Sequence, residues 1–594
     1  MLTPEGSDAG NIDRIMLLSM WAKHLDTEQI KQKLIYAGMG KPTFRINPYM
    51  VQAFVAYWDC IQKRLGDLIN KTTDEHVAID YGDPRGEEQA LLDMAKAMTQ
   101  WYSTEVSTKD LLFTVGGAGA LKVIFDTFNE PGSHSPQYRV ITPFPYYTLY
   151  ANERHILHPI EVMNESGYRL SLNNLRTSIE DAKKAAKLDG IPPKVLLLCN
   201  PNNPLGTVLS VDELGYVATV LREHPDLNLV IDEAYAEMVW LDEKPTSILE
   251  LAPDLKERVT ILRSATKAHS TAGERMALLM NFNPERMTQY RTKNISMIGH
   301  APRSAQIAYA SAMSHFNDKE ANELRVFYEP KLRFVQQKLG ELNALMPDPE
   351  YRIEGTFYVM ADLSDLIGMD IPIEASAALG HGGAVNTCEE LVYSLLFKES
   401  IMLAPSQYFG LAPSSAFCRI TCSGSEEDLS TLMDRLGRCL LTERVNQRKK
   451  LLLAIEDELQ PLELSHPLIY QRHKASLDAF KEETKNHVEL VEQNKALQMV
   501  LSEVKEHILS LTGKSEPLRT EASQSFFMQH QDNTLEKKIK KEMDAEWIVF
   551  IDEIASEGPL KEYLLNLPPK ERMSFKPWTE RLALKQIGDA PFVH

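Results

Sequence analysis

The sequence predicts an α/β protein built around a mostly parallel β-sheet, and three observations lead to that prediction. Between about residues 72 and 299, short apolar runs alternate with segments of helical periodicity. The runs are continuously apolar rather than alternating, which is typical of strands buried on both faces. The helical segments between them fit the crossover connections that parallel strands require.

The elements of this region follow one another in a regular order. The predicted strands are Leu111–Val115, Arg139–Thr142, Lys194–Cys199, Leu227–Ile231 and Val259–Leu262. The predicted helices between them include Leu121–Phe128, Asn173–Ala186 and Val211–Glu223. Before the first strand, apolar spacing predicts two more helices, Ile12–Leu25 and Tyr49–Ile69.

A second, smaller α/β domain is predicted after the sheet region. A long helix over about Ala305–Leu342 precedes a strand at Gly355–Met360. The Gly-rich segment Gly380–Gly383 separates that strand from a helix at Leu391–Glu399, and Phe417–Cys422 forms another strand. Part of the N-terminal segment is expected to join this domain.

The chain beyond about Thr442 is charged and predicted to be mainly helical. Apolar residues recur there at spacings of four and three, with a polar Asn494 inside the stripe. A three-heptad coiled coil is one interpretation, and a helix that packs on its own domain is the favoured one. The stripe consists of Leu490, Asn494, Leu497, Leu501, Val504, Ile508 and Leu511. Gly513–Thr534 is predicted to be a loop, and about the last 60 residues are predicted to be helical.

These patterns divide the 594-residue chain into five predicted parts. They are an N-terminal arm and helix (residues 1–43), a helix that belongs to the small domain (44–74), the large domain (75–304), the small domain (305–441) and the helical extension (442–594).

Composition excludes several classes of protein. A formal net charge of −19 argues against a general nucleic-acid binder, which needs a basic face. The N-terminus has no signal-peptide pattern, and no apolar run reaches the ~18 residues of a membrane span. Scattered cysteines indicate neither a disulfide framework nor a zinc site, so we expect free thiols and a cytoplasmic protein. The cysteines are Cys60, Cys199, Cys388, Cys418, Cys422 and Cys439.

Lys267 is the first candidate for chemistry. It follows the strand Val259–Leu262 and a short polar turn, which places it near the carboxyl end of a strand, where α/β sheets bind ligands. A lysine there can lose its proton and form an imine with an aldehyde. The ordinary alternative is a solvated surface charge.

Asp232 ends another apolar run, Leu229–Ile231. A buried carboxylate is costly unless it is paired, and a protonated ring nitrogen would pair it. A helix N-cap is the simpler interpretation of this aspartate taken alone. Tyr235 and Asn203 are placed to reach an oxygen on the same ring, although Asn-Pro by itself indicates only a turn.

A phosphate site is predicted where a strand meets a helix. Gly116–Ala120 follows the strand Leu111–Val115, and its small residues let backbone N–H groups approach an anion. A plain tight turn is the alternative. Ser264, Thr266 and Arg275 would complete the site, since arginine binds phosphate through two N–H groups.

Together these groups match the needs of one cofactor, pyridoxal 5'-phosphate (PLP). PLP requires an amine, an acid at its pyridine nitrogen, and cationic and hydroxyl partners for its phosphate. An aromatic residue of Pro143–Tyr147 would stack on the ring. Core packing is the better interpretation of that aromatic residue in the absence of the other motifs.

Across about Gly38–Leu441 the chain resembles the class I/II PLP-dependent aminotransferases of the fold-type I superfamily. The resemblance is carried by Asn203-Pro204-Leu205-Gly206, Asp232-x-x-Tyr235 and Ser264-x-Thr266-Lys267, followed by Gly273-x-Arg275. It implies a mostly parallel seven-stranded sheet between helices, a smaller α/β domain and a homodimer with shared active sites.

The resemblance also implies a role for individual residues. Lys267 would form a Schiff base with PLP, and Asp232 would contact the pyridine nitrogen. The ring oxygen would be bound by Asn203 and Tyr235, and the ring would be stacked by Tyr147. The remaining implied contacts are Gly117, Ala118, Ser264 and Arg275 for the phosphate, Tyr81 for the partner's phosphate, and Arg419, Gly40 and Asn203 for the substrate.

Some positions depart from the family pattern without removing a cofactor contact. These are Leu205, His269, Ala277 and Ser406. His269 and Lys41 are candidates for contact with a polar substrate. The favoured alternative is that they support other side chains or face solvent.

The implied reaction moves an amino group between an L-amino acid and a 2-oxo acid, with Lys267 as general base. A second hypothesis is another PLP reaction on the same scaffold: β-decarboxylation, β/γ-elimination or oxidation. A third, from another class, is a non-catalytic binding or scaffold protein that uses the C-terminal helices. The intact set of cofactor residues argues against this third hypothesis.

Overall fold

The structure is a computed structural model that describes residues 10–27, 32–72, 76–129, 135–478, 480, 484 and 486–512. The chain divides into two compact units, Ser7–Met499 and a second formed by Met1–Gly6 with Val500–His594. Only residues 500–512 of the second unit are described. The predicted loop at Gly513–Thr534 and the predicted terminal helices therefore lie outside the described residues.

Sixteen α-helices are present in the described part of the chain. The helices up to the end of the large sheet are α1 (Gly10–Thr27), α2 (Pro48–Ile69), α3 (Glu88–Tyr102), α4 (Gly116–Thr127), α5 (Leu172–Asp189), α6 (Val211–Glu223), α7 (Ile248–Leu251) and α8 (Pro284–Ile298). Those that follow are α9 (Arg303–His315), α10 (Asp318–Glu341), α11 (Ile373–Leu379), α12 (Cys388–Glu399), α13 (Glu426–Leu459), α14 (Leu462–Ser465), α15 (Pro467–Asp478) and α16 (His487–Thr512).

The described strands number twelve. They are β1 (Ile35–Tyr36), β2 (Leu111–Val115), β3 (Arg139–Phe144), β4 (Ile156–Glu161), β5 (Pro193–Cys199), β6 (Asn228–Glu233), β7 (Val259–Ser264), β8 (Met276–Asn281), β9 (Tyr358–Asp362), β10 (Ile401–Met402), β11 (Ala404–Pro405) and β12 (Phe417–Thr421).

The predicted α/β fold with a mostly parallel sheet is confirmed. Seven strands pair in the order β2-β8-β7-β6-β5-β3-β4. Strand β8 runs antiparallel to both of its neighbours, and the other pairs are parallel. Strands β4 and β8 lie outside the set predicted from the sequence. β8 follows β7 after a short connection, which is compatible with antiparallel pairing.

Apolar side chains cover both faces of this sheet. Along β5, Leu196 and Leu198 belong to one buried cluster, and Val195 and Leu197 belong to another. This alternation explains why the strands are continuously apolar in sequence: each face packs under its own layer of helices. Helix α2, predicted with the small domain, packs on α9, and its Met50 lies in the larger of the two clusters.

The smaller domain contains a three-stranded antiparallel sheet of order β11-β12-β9. The N-terminal segment joins this domain, because β1 pairs in parallel with β10. The single long helix predicted over Ala305–Leu342 is wrong. It is two helices, since the Asn317 side chain accepts the N–H of Lys319 and so starts α10 as a new helix.

Part of the C-terminal stripe is buried, and it contacts helix α13. Leu490 and Leu497 of α16 are inaccessible to solvent, and the Asn494 side chain donates a 3.0 Å hydrogen bond to the Arg444 carbonyl of α13. The favoured interpretation, a helix that packs on its own domain, is therefore supported over residues 487–499. The described helices include none with the length and apolarity that a bilayer crossing requires.

Candidate active site

The candidate residues meet at the carboxyl-terminal edge of the large sheet. Asn203 follows β5, Asp232 lies near the end of β6, and Lys267 follows β7. These three strands are adjacent and parallel, so their carboxyl ends lie side by side. Strand β2 points the same way, because two antiparallel pairings separate it from β7, and it delivers the start of α4 to the same edge.

Lys267 lies in a cationic and largely buried setting. Its Nζ donates a 2.7 Å hydrogen bond to the Gly40 carbonyl oxygen. Burial, and then the charges of Arg419 and Arg275, lower the pKa of Lys267 to about 7, although Asp232 acts in the opposite direction. A large fraction of this amine is therefore neutral at neutral pH, which is the nucleophilic form.

Asp232 is 3% exposed and is held by two hydrogen bonds. The Tyr150 hydroxyl donates to Oδ2 at 2.9 Å, and the Ala234 N–H donates to Oδ1 at 3.1 Å. Burial raises the pKa of Asp232 to about 6 despite these donors. The carboxylate is thus oriented, but the charge of Lys267 and these two donors offset the cost of its burial only in part.

Arg419, on β12, is a buried guanidinium with donors to spare. Its Nη1 donates to Asn203 Oδ1 at 2.8 Å, and its Nη2 donates to the Gly38 carbonyl at 2.7 Å. Its Nε is buried without a hydrogen-bond partner among the described residues. The guanidinium lies over the Tyr358 ring at 4.1 Å and near the Phe409 ring at 4.7 Å. An unsatisfied guanidinium N–H in such a place suits a carboxylate ligand.

Gly40 brings the N-terminal loop onto these side chains. A Cβ at position 40 would collide with the Tyr358 hydroxyl and would lie 3.5 Å from Lys267 Nζ. Close approach of the backbone therefore requires glycine at this position.

The start of α4 forms the other end of the site. The residue before the helix, Val115, provides no side-chain cap, so the N–H groups of the first turn, which includes Gly117 and Ala118, are free to bind an anion. The Arg275 guanidinium lies over this turn: a Cβ at Gly116 would be 2.9 Å from Arg275 Nη2. Ser264, which ends β7, donates to the Thr266 hydroxyl at 2.7 Å.

This arrangement fits PLP. The uncapped start of α4 and the Arg275 guanidinium beside Gly116 offer donors for a phosphate, and the buried carboxylate of Asp232 suits a protonated ring nitrogen. Tyr147 lies near Asp232, whose charge adds to burial in raising the pKa of Tyr147. Tyr235 is buried, and its ring centroid is 5.7 Å from Lys267 Nζ.

Three candidates lie away from this cluster. Tyr81 is 90% exposed and meets His300 edge-on at 6.0 Å. His269 is buried, with Nδ1 3.4 Å from Asn47 Nδ2 and Nε2 4.0 Å from Glu237, and burial lowers its pKa. Lys41 is exposed. The favoured interpretation of His269 and Lys41, support or solvent exposure rather than substrate contact, agrees with these positions.

Two tyrosines of the site were not predicted from the sequence. Tyr150 holds Asp232, and Tyr358 lies within 2.6 Å of the Tyr235 hydroxyl, oxygen to oxygen. Tyr150 lies three residues after the predicted aromatic segment Pro143–Tyr147, and this proximity could have identified it as a site residue. Tyr358 begins an apolar strand, and nothing local distinguishes it from a core residue.

Known proteins share this sequence pattern and fold. The family model "Aminotransferase class I and II" matches residues 63–436. An aspartate aminotransferase of Geobacillus stearothermophilus is 24% identical over 425 residues, which cover 71% of this chain and 95% of that protein. A probable aspartate/prephenate aminotransferase of Rhizobium leguminosarum bv. phaseoli is 26% identical over 64% of this chain and 87% of its own. The crystal structure of the aspartate aminotransferase from Rhizobium meliloti superposes with a TM-score of 0.57 at 20% identity, covering 72% of this chain and 95% of its own.

Proposed function

The chain belongs to the class I and II aminotransferase family, and from that premise we propose that it binds PLP through Lys267 and transfers an amino group between an L-amino acid and a 2-oxo acid. The observation that carries the proposal is the partly buried Lys267 amine at the sheet edge, which feels the charges of Arg419 and Asp232 and has its pKa lowered to about 7.

The residues that would hold the cofactor are those that surround the sheet edge. When bound, PLP supplies an aldehyde that bonds to an amine and a ring that withdraws electrons from the substrate Cα. The phosphate would lie at the first turn of α4, near Gly117, Ala118, Ser264 and Arg275. Asp232 would keep a proton on the ring nitrogen, Asn203 and Tyr235 would contact the ring oxygen, and Tyr147 would cover the ring.

The chain's own side chains then divide the work of the reaction. Arg419 binds the α-carboxylate of the substrate with its spare N–H groups, which fixes the direction of the Cα–H bond. The Lys267 amine accepts the Cα proton as a general base. The resulting ammonium then donates that proton as a general acid later in the reaction. The loop at Gly38–Gly40 covers this amine and limits access of water.

We also propose that the active enzyme is a homodimer in which Tyr81 reaches the partner's phosphate site. Helix α2 exposes apolar residues at spacings that place most of them on one face. A contiguous apolar face of this kind marks an interaction surface. Its members are Val51, Val55, Trp58, Leu65 and Ile69.

Replacement of Lys267 tests the proposal. The Lys267→Ala variant should lose the visible Schiff-base absorbance, and amino transfer should fall by about 10²–10⁴-fold or more, because both nucleophile and general base are removed. Lys187→Ala, an exposed lysine on α5, is the matched control and should behave like the unchanged protein. Retention of both colour and turnover by Lys267→Ala would contradict the assignment.

A donor screen identifies the reaction. Aspartate is the first donor to test with 2-oxoglutarate, because several of the similar proteins are named aspartate aminotransferases. Transamination requires the 2-oxo acid, whereas decarboxylation or elimination proceeds without it. The comparison is needed because the relatives match almost all of their own length but only about 71% of this chain. Product formed equally well without any 2-oxo acid would favour the lyase or decarboxylase alternatives.

A further inference from the structure

Tyr358 occupies the point at which three parts of the site meet. It is the first residue of β9, is 1% exposed, and its hydroxyl oxygen lies 2.6 Å from that of Tyr235. Its ring supports the Arg419 guanidinium at 4.1 Å. Gly40 has no room for a Cβ because the same hydroxyl fills the space. One side chain thus contacts the cofactor side, the substrate side and the covering loop.

When the cofactor is bound, only one of the two phenols can donate the hydrogen bond between them. Burial raises the pKa of both tyrosines, so each keeps its single hydrogen at neutral pH. If Tyr235 donates its hydrogen to the ring oxygen, the hydrogen between the two phenols must come from Tyr358. A phenol that accepts a hydrogen bond becomes a stronger donor in turn, because hydrogen bonds in a chain polarise one another.

The second contact of Tyr358 concerns the carboxylate-binding arginine. Arg419 has four acceptor or ring partners: Asn203, the Gly38 carbonyl, the Tyr358 ring at 4.1 Å and the more distant Phe409 ring at 4.7 Å. A guanidinium over an aromatic face is attracted to it, and more strongly where water is excluded. The ring therefore helps to hold the guanidinium plane in the orientation that a carboxylate needs.

We propose that Tyr358 is a positioning residue that couples the two halves of the site. Its hydroxyl strengthens and orients Tyr235 toward the cofactor, and its ring orients Arg419 toward the substrate carboxylate. The inference rests on the proposed PLP function. It adds a residue, Tyr358, whose hydroxyl and ring have different roles that can be separated by substitution.

Two substitutions separate these roles. Tyr358→Phe keeps the ring and removes the hydroxyl. Tyr358→Leu removes both. Tyr290→Phe is the matched control, because Tyr290 is a fully buried tyrosine whose hydroxyl lies 2.9 Å from Thr260 Oγ1 and outside the site.

The first measurement is the pH titration of the absorbance of the PLP-loaded protein, which does not depend on turnover. Loss of the Tyr358 hydroxyl weakens the donor to the ring oxygen, so the ionised oxygen is less stabilised and the midpoint should move to higher pH. We expect a shift of roughly 0.5–1 pH unit for Tyr358→Phe and for Tyr358→Leu, and none for Tyr290→Phe. Arg419, Tyr235, Cys199 and Tyr328 also surround Tyr358 and are unchanged in all three variants.

The second measurement is KM for the amino donor. Tyr358→Phe should leave KM within about twofold, and Tyr358→Leu should raise it roughly tenfold, because only the latter removes the ring under Arg419. An unmoved absorbance midpoint in Tyr358→Phe overturns the hydroxyl role, and equal KM values in the two variants overturn the ring role. If Tyr358→Leu fails to fold, the Tyr358→Phe titration alone decides the proposal. A wild-type protein without any Schiff-base band would refute the proposed function instead.

Discussion

At the residue scale, the site is built from two ionisable groups that burial makes unstable in their charged forms. The pKa of Lys267 is lowered to about 7 and that of Asp232 is raised to about 6. Both shifts have desolvation as their largest cause. The cofactor-free site therefore costs the fold free energy, and a bound group that supplies an aldehyde and a ring cation would remove that cost.

Asp232→Asn should stabilise the cofactor-free protein while it weakens PLP binding. The carboxyl ionises at about pH 3.8 when unfolded and at about 6 when folded, so ionisation disfavours the folded state fully above pH 6 and not at all below the unfolded value. The gain in unfolding free energy at pH 7 should be about 1–3 kcal/mol and should vanish near pH 3. Urea denaturation at both pH values measures it, and a variant less stable than wild type at pH 7 would contradict this account.

At the element scale, the first turn of α4 combines an open helix start with an arginine above it. Gly116 has a φ of +66°, a conformation that L-residues with side chains rarely adopt. The helix start and Arg275 are separated in sequence and meet only because β2 and β7 both deliver their ends to one edge.

Gly116→Ala should reduce PLP retention, because its Cβ would lie 2.9 Å from Arg275 Nη2 and displace that side chain. The left-handed backbone adds a cost of about 1 kcal/mol to stability. In Gly119→Ala, the control on the same helix, the nearest atom would be 3.6 Å away, so this variant should be neutral or more stable by up to about 1 kcal/mol. Absorbance after dialysis and thermal unfolding measure the two effects; equal PLP loss in both variants would exclude the steric explanation.

Strand β7 carries a second element-scale feature, a buried ion cluster beneath the site. Arg263 is inaccessible to solvent and donates to Glu237 Oε1 at 2.5 Å and to the Tyr102 hydroxyl at 3.0 Å. Glu233 lies 3.8 Å from the same guanidinium.

Arg263→Leu should lower the unfolding free energy by about 3–5 kcal/mol, because it leaves buried carboxylates without their cation. The control Arg222→Leu removes an exposed pair with Asp254 and should cost no more than about 1 kcal/mol. Denaturant titration of both variants checks this prediction. A similar loss of unfolding free energy in the two variants would show that the buried Arg263 cluster contributes no more to stability than an exposed ion pair.

At the scale of the whole molecule, the exposed position of Tyr81 agrees with the proposed homodimer. A tyrosine that is 90% exposed contributes little to its own subunit, yet it resembles one that completes a partner's phosphate site. The apolar face of α2 provides surface for such an assembly.

Mixed dimers test the shared site. Tyr81→Ala and Lys267→Ala should each be nearly inactive, but co-expression should restore about a quarter of wild-type activity. About half of randomly formed dimers are mixed, and one of the two sites in each mixed dimer combines an intact Lys267 with an intact Tyr81 from the other subunit. Recovery of activity without dimer formation, or no recovery in dimers, would contradict the shared site.

Much of this architecture is predictable from local sequence. Buried parallel strands are continuously apolar, and Lys267, Asp232 and the glycines of α4 follow them in a spacing that one cofactor explains. The break between α9 and α10 is also local, since Asn317 is a helix cap. These features were encoded in neighbouring residues, where periodicity and capping act.

Other features depended on tertiary contacts. Tyr358 and Tyr235 are separated by 123 positions and the members of the Arg419–Asn203 pair by 216, and no local pattern relates either pair. The sequence leaves His269 open as a substrate contact or a supporting residue, and its burial beside Asn47 and Glu237 agrees with the favoured supporting role. The sequence by itself determined most of the strand–helix order and singled out the candidate amine of Lys267, because both follow from short-range patterns. Tertiary packing decided which distant side chains orient that amine and its partners, because desolvation and hydrogen-bond geometry exist only once the elements meet.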